Sequence, residues 1–197
     1  MTSGSFERLR RGEASERTGS LVVIPVGAVE QHGPHLPVGT DIMLARAVAA
    51  AACERVPGSL LLELLNFGCS AHHRSFGATV SLPASVFVTV VAEAARCLCE
   101  DGFVPVFVNG HGGNRAPLGT ALQTLLEWGH TAYAMTYFEL VPEAVLAEFG
   151  DSANLGHACA METSLVLHLW PELVAGELPG LSATGWYPDV SLYGSDA

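Results

Sequence analysis

The run Phe103 to Val108, FVPVFV, constrains the fold more than any other stretch of the chain. It has the length of a strand and is apolar throughout. Such a strand is buried on both faces, as happens when helices cover both sides of a parallel sheet. A second run of this kind, Leu21 to Val26, LVVIPV, breaks at Gly27. Helical segments follow both runs: Ile42 to Arg55, ended by Pro57-Gly58, and Arg115 to Trp128, ended by Gly129. Short strands are predicted at Leu60 to Leu65, Ala78 to Leu82 and Thr131 to Tyr137. Further helices are predicted at Ala84 to Cys99, with Ser85 as its cap, at Phe138 to Phe149 and at Thr163 to Trp170. The alternation reads as βαβ units, hence an α/β fold with a mostly parallel sheet between helical layers.

With 197 residues, 49% apolar and 15% charged, the chain suits one well-buried domain, placed at 21–197. A polar Gly/Ser-rich tail at 1–20 precedes it, with Phe6 and Leu9 as anchors of a short helix. Arg8, Arg10, Arg11 and Arg17 cluster in that tail, which reads as frayed. The formal charge of −11 excludes nucleic acid and anionic membrane surfaces as partners. Five scattered cysteines do not make a disulfide framework, and a reducing cytoplasm is the expectation. No segment has the pattern of a signal peptide or a bilayer span.

Chemistry-bearing residues gather where the strands end. After Val26 the loop presents Glu30, His32 and His35 and closes on Asp41 at a helix start. Glu30 and His32 are two apart, so an extended backbone sends both side chains from one face. Asp41 on its own would read as a helix cap. After Val108 comes NGHGGN, where Gly112 and Gly113 permit a tight turn and close backbone approach to a substrate, and His111 faces a pocket. Glu162 enters an apolar helix and needs a partner there, for which a metal ion would serve. His157 lies five residues earlier, while His168 reads as a packed helical histidine. His72 and His73 would point in opposite directions if extended, so one of them at most faces a site, and His73 is the candidate for substrate contact.

Glu30, His32, Asp41, His111 and Glu162 supply oxygen and nitrogen ligands and no thiolate, more than one tetrahedral structural zinc requires. They fit two divalent ions that share a carboxylate, and hydrolysis is the natural output. Zinc, manganese and iron all suit such ligands. The chain has no G-x-S-x-G elbow, Walker loop or G-x-G-x-x-G fingerprint to support a competing chemistry.

The stretches EQHGPHLPVGTD, NGHGGN and HACAMETS resemble, in order and spacing from about Leu21 to Leu173, the creatininase family of metal-dependent amidohydrolases. The resemblance implies a three-layer α/β/α sandwich, a zinc pair or a mixed zinc/manganese pair, and a homo-oligomer, with hexamers known in the family. It places Glu30, His32, Asp41, His111 and Glu162 at the metal-ligand positions, Asp41 as the bridge, and His157 as the residue passing a proton to the leaving nitrogen. The activity it implies is attack by a metal-bridging hydroxide on a non-peptide C–N bond, in a small-molecule cyclic amide or formamide. Two alternatives accompany it: trimming of a redox-cofactor precursor peptide, and a degenerate non-catalytic metal-binding subunit. The chain departs from the family at four points. Gly113 stands where creatininase has a glutamate. Cys159 and Ala160 replace the Gly and Glu of HAGExET. The family's FPGT reads Phe76-Gly77-Ala78-Thr79. The chain also ends earlier than family members usually do, so it is expected to be short at the C-terminus.

Overall fold

The structure, a computed structural model, describes residues 4–141, 143, 147 and 156–176. Among the described residues, five parallel strands form one sheet in the order β1-β3-β2-β4-β5: β1 (Gly4–Ser5), β2 (Leu21–Val26), β3 (Leu60–Leu61), β4 (Val104–Asn109) and β5 (Tyr133–Thr136). The helices fully described are α1 (Arg11–Ser15), α2 (Thr40–Arg55), α3 (Ala84–Glu100), α4 (Arg115–Glu127) and α5 (Ala160–Leu169).

Strand periodicity divides the core. Val22, Ile24, Val26 and Phe107 pack with Phe87, Val91 and Ala95 of α3 and with Leu118, Ala121 and Leu125 of α4. Val23 and Val108, one residue out of step, meet Leu44, Ala49 and Cys53 of α2 and Val166 of α5. Both faces of the central strands are therefore buried, which is why their sequences run apolar without alternation. The layers are α3 and α4, the sheet, then α2 and α5, as the sandwich reading expects.

The chain leaves β2 for β3 on one side and returns to β4 on the other. The carboxyl ends of β2 and β4, paired at Val26 and Asn109, thus border the point where strand order reverses. Open α/β sheets hold ligands there.

Several expectations change. The segment from Gly4 to Gly19 is tied down: β1 pairs with β3, the Phe6 ring meets Phe103 edge-on with centroids 5.2 Å apart, and Gly19 N–H donates to Gly102 O at 2.7 Å. The strand expected at Leu60 to Leu65 is cut to Leu60–Leu61, with Leu65 rejoining as a single bridge to Val26. Ala78 to Leu82 makes no ladder, only isolated bridges from Val80 to Val29 and from Ser81 to Gly68. Pro83, not Ser85, precedes α3 at the cap position. His168 is exposed rather than packed. The expected helix at Phe138 to Phe149 lies largely outside the described residues. The tail beyond Gly176 lies outside them too. No helix among the described residues is long and apolar enough to cross a membrane.

Candidate metal centre

The loop after β2 is closed by the Glu30 N–H, which donates to Val38 O at 2.8 Å. Gly27 starts that loop because a Cβ there would lie 2.5 Å from the backbone of Ile42. Helix α2 can therefore lie directly against the strand end, bringing Asp41 under the loop. Asp41 is not the cap of α2; Gly39 holds that position, and the Asp41 carboxylate turns inward.

Glu30, His32, Asp41, His111 and Glu162 come together, all buried. Asp41 lies between the two histidines, with Oδ1 3.0 Å from His32 Nε2 and Oδ2 2.8 Å from His111 Nδ1. Glu162 Oε1 stands 3.6 Å from His32 Nε2, and Glu30 Oε1 stands 3.5 Å from His111 Nδ1. Backbone carbonyls define the far side of each ring. His32 Nδ1 is 3.1 Å from Glu30 O, and His111 Nε2 is 3.2 Å from Cys69 O. A carbonyl oxygen only accepts, so these nitrogens carry the protons and the opposite ones are left to bind.

Two ligand triads result, Glu30/Asp41/His111 and His32/Asp41/Glu162, with Asp41 common to both. Glu30 Oε2, His32 Nε2 and Asp41 Oδ2, three atoms of the proposed ligands, are buried without a hydrogen bond. Short N···O distances without hydrogen-bond geometry arise when ligand atoms aim at a common ion rather than at each other. Three such orphans in an oxygen-and-nitrogen donor set fit a pair of divalent cations.

Charge reflects the same crowding. Burial pushes the Asp41 carboxyl up, but His32 and His111 on either side hold it well below the usual range. Burial likewise penalises charged His32 and His111, yet the facing carboxylates raise both above the ordinary value, His32 strongly. Glu30 is lowered against its burial by His157 and His111. Burial and the neighbouring histidines bring His73 down to about 4, outweighing Glu30.

His72 and His73 do not point in opposite directions. Residues Ala71–Phe76 form a 3-10 turn, in which successive side chains are about 120° apart. Both histidines join Glu30 in a third cluster, and Glu30, His32 and His157 form a fourth. His157 Nδ1 lies 3.3 Å from Glu30 Oε1, and its ring stacks on His73 with centroids 4.1 Å apart. His35 turns away and contacts Thr163 Oγ1 through Nε2 at 2.9 Å. Gly112 is exposed, whereas a Cβ on Gly113 would collide with Cys69 O and the His111 ring. Gly113 thus approaches protein, not open space. Cys159 caps α5, its N–H donating to Glu162 Oε2 at 2.8 Å, and burial beside Glu162 pushes its thiol up to about 12. Both effects disfavour the thiolate that a nucleophile needs.

The sequence reading passed over the residues that hold the ligands. Gln31 bonds to both His73 and His157. Asn109 Oδ1 accepts from His111 N–H at 3.1 Å, and its Nδ2 donates to His111 O at 2.8 Å. Asn114 spans the loops after β2 and β4. All three lie inside the quoted motifs, and their polarity beside apolar runs was the available signal.

Residues 7–184 match the family model described as creatininase, creatinine amidohydrolase. A mycofactocin precursor peptide peptidase of Mycobacterium ulcerans (strain Agy99) is 36% identical over 161 residues, covering 78% of this chain and 60% of the relative. A creatinine amidohydrolase of Pseudomonas putida is 32% identical over 172 residues, covering 78% of this chain and 66% of the relative. The chain spans less than two thirds of the length of the curated relatives it matches. A solved structure described as "Creatininase Mn" superposes with a TM-score of 0.79 at 26% identity, covering 91% of this chain and 79% of that one. A mutant creatininase described as "Zn-Zn type" superposes at 0.73 and 26% identity, covering 86% and 74%.

Proposed function

The chain belongs to the creatininase family, and from that membership we propose that it is a metal-dependent hydrolase cleaving an amide C–N bond in a precursor peptide. One observation carries the metal-dependent part: Asp41 offers one oxygen to His32 and the other to His111, as a bridge between two ions requires. Glu30 and His111 would complete one site, and His32 and Glu162 the other. Zinc is the proposed metal, with manganese or iron as alternatives. When bound, such a pair lowers the pKa of water and polarises a carbonyl.

The protein's own groups do the rest. Glu30, His32, Asp41, His111 and Glu162 would hold two cations beneath the loops at the end of the sheet. His157 stands on the Glu30 side of the cluster and would carry a proton to the leaving nitrogen. Water adds to the carbonyl carbon, the C–N bond breaks, and the products are a carboxylate and an amine.

The peptide substrate rests on the peptidase relatives, at 33–36% identity, and on Gly113. Creatininase carries a glutamate at that position, and here even a Cβ has no room. A cyclic amide or formamide is the second reading, favoured by the Pseudomonas putida relative. The test is to load the purified chain with zinc or manganese and assay it by mass spectrometry against precursor-type peptides, creatinine and N-formyl compounds. Cleavage of the peptides with creatinine untouched supports the proposal. Turnover of creatinine alone would replace it with the second reading, and metal binding with no turnover of any substrate would point to a non-catalytic subunit.

A further inference from the structure

The side chain of Gln31 lies between two histidine rings. Its Nε2 is 2.9 Å from His157 Nε2 and 3.0 Å from His73 Nδ1. Its Oε1 accepts from Gly33 N–H at 3.1 Å. That third contact fixes the amide orientation, since a backbone N–H cannot bond to an amide NH₂. Both hydrogens of the Gln31 nitrogen are thus directed at the two rings, and the ring nitrogens they meet must accept. Neutral His157 therefore carries its proton on Nδ1, and neutral His73 carries its own on Nε2. Both proton-bearing nitrogens face one atom, Glu30 Oε1, at 3.3 Å from His157 and 3.6 Å from His73.

We propose that Gln31 is a positioning residue that sets the tautomers of His157 and His73, directing both imidazole protons to the Glu30 side of the cluster. An amide is the side chain this task needs. A carboxylate of the same shape would accept from both rings and reverse both tautomers. A shorter amide would not reach them. The stacking of His157 on His73 follows, because one NH₂ group serves both rings. The catalytic consequence rests on the proposed proton transfer by His157; the tautomer assignment does not.

The experiment is ¹⁵N NMR of the imidazole nitrogens in the histidine-labelled chain, at mildly alkaline pH, metal-free and zinc-loaded, with the His157 signals assigned through His157→Gln. The expected result is a protonated Nδ1 and an unprotonated Nε2 for His157. Gln31→Glu should reverse or abolish that pattern and keep the metal content. It should also lower kcat by about 10- to 100-fold with little change in KM. If Gln31→Glu fails to fold, the wild-type spectrum decides by itself. A protonated Nε2 on His157 in the wild type, or an unchanged His157 pattern in Gln31→Glu, would overturn the assignment. Correct tautomers with an unchanged kcat would overturn the catalytic consequence. A wild-type chain that hydrolyses no substrate, yet shows the expected tautomers, would uphold the assignment of Gln31 and remove the function proposed above.

Discussion

Asn114 Nδ2 donates to Gly27 O at 2.9 Å, joining the loops that follow β2 and β4 across 87 residues of chain. The same buried amide bonds to Asn109 Oδ1 and accepts from Cys69 N–H at 2.9 Å. Three loops that carry or support the candidate ligands thus share one side chain. Asn114→Ala leaves buried donors and acceptors unpaired, at about 1–3 kcal/mol for each group. Chemical denaturation should show that loss, with the number of metal ions per chain unchanged under native conditions.

Gly113 makes a sharper case. Alanine there must displace the Cys69 carbonyl or the His111 ring, an overpacking cost of about 1–3 kcal/mol. Titration calorimetry of Gly113→Ala should show weakened metal binding, because His111 moves. Gly113→Glu restores the creatininase residue, yet should yield no creatinine hydrolysis in a direct assay, for the same steric reason.

Ala78 sits at φ 47°, in the left-handed region, at the position where the family motif has glycine. The conformation costs a Cβ-bearing residue roughly 1 kcal/mol. Ala78→Gly should therefore raise the thermal midpoint and leave the metal content as it is. A lowered midpoint would show that the methyl group packs more usefully than the strain costs.

His32 and His111 have folded pKa values raised above 6.5, so their contribution to the metal-free protein is complete below that pH and is lost as pH rises through the raised values. Asp41 is depressed below 3.8, so its contribution is present above that pH and is lost as pH falls through its folded value. Urea unfolding of the metal-free chain should show greatest stability between those limits. Metal must displace protons from the two histidines, so its affinity should climb with pH above 6.5, with proton release seen by calorimetry in buffers of different ionisation enthalpy.

His157→Gln should keep both metals and lower kcat by about 10²- to 10⁴-fold, read by elemental analysis and steady-state kinetics on one preparation. Loss of metal in that variant would make His157 a ligand instead.

Much of this architecture was legible in the sequence. Phe103 to Val108 and Leu21 to Val26 announced their double burial through lack of alternation, and the same runs located the site at their carboxyl ends. Glu30, His32, Asp41, His111 and Glu162 stood out as polar groups beside apolar segments, and the structure gathers all five. What escaped depends on local backbone form. The 3-10 turn at Ala71–Phe76 brings His72 and His73 to the same cluster, where an extended reading parted them. Gln31 gave no charge signal, and its contacts with His73 and His157 span 42 and 126 residues. The pairing of β1 with β3 uses two residues, too few for any periodicity to reveal.

The most direct test is the metal content of the wild type and Asp41→Ala after equilibration with zinc. The shared carboxylate predicts about two ions per wild-type chain and a loss of most of both in the variant, because each triad loses a ligand at once. A variant that keeps both ions, or a wild type that binds none, would contradict the dinuclear centre on which the proposed function stands.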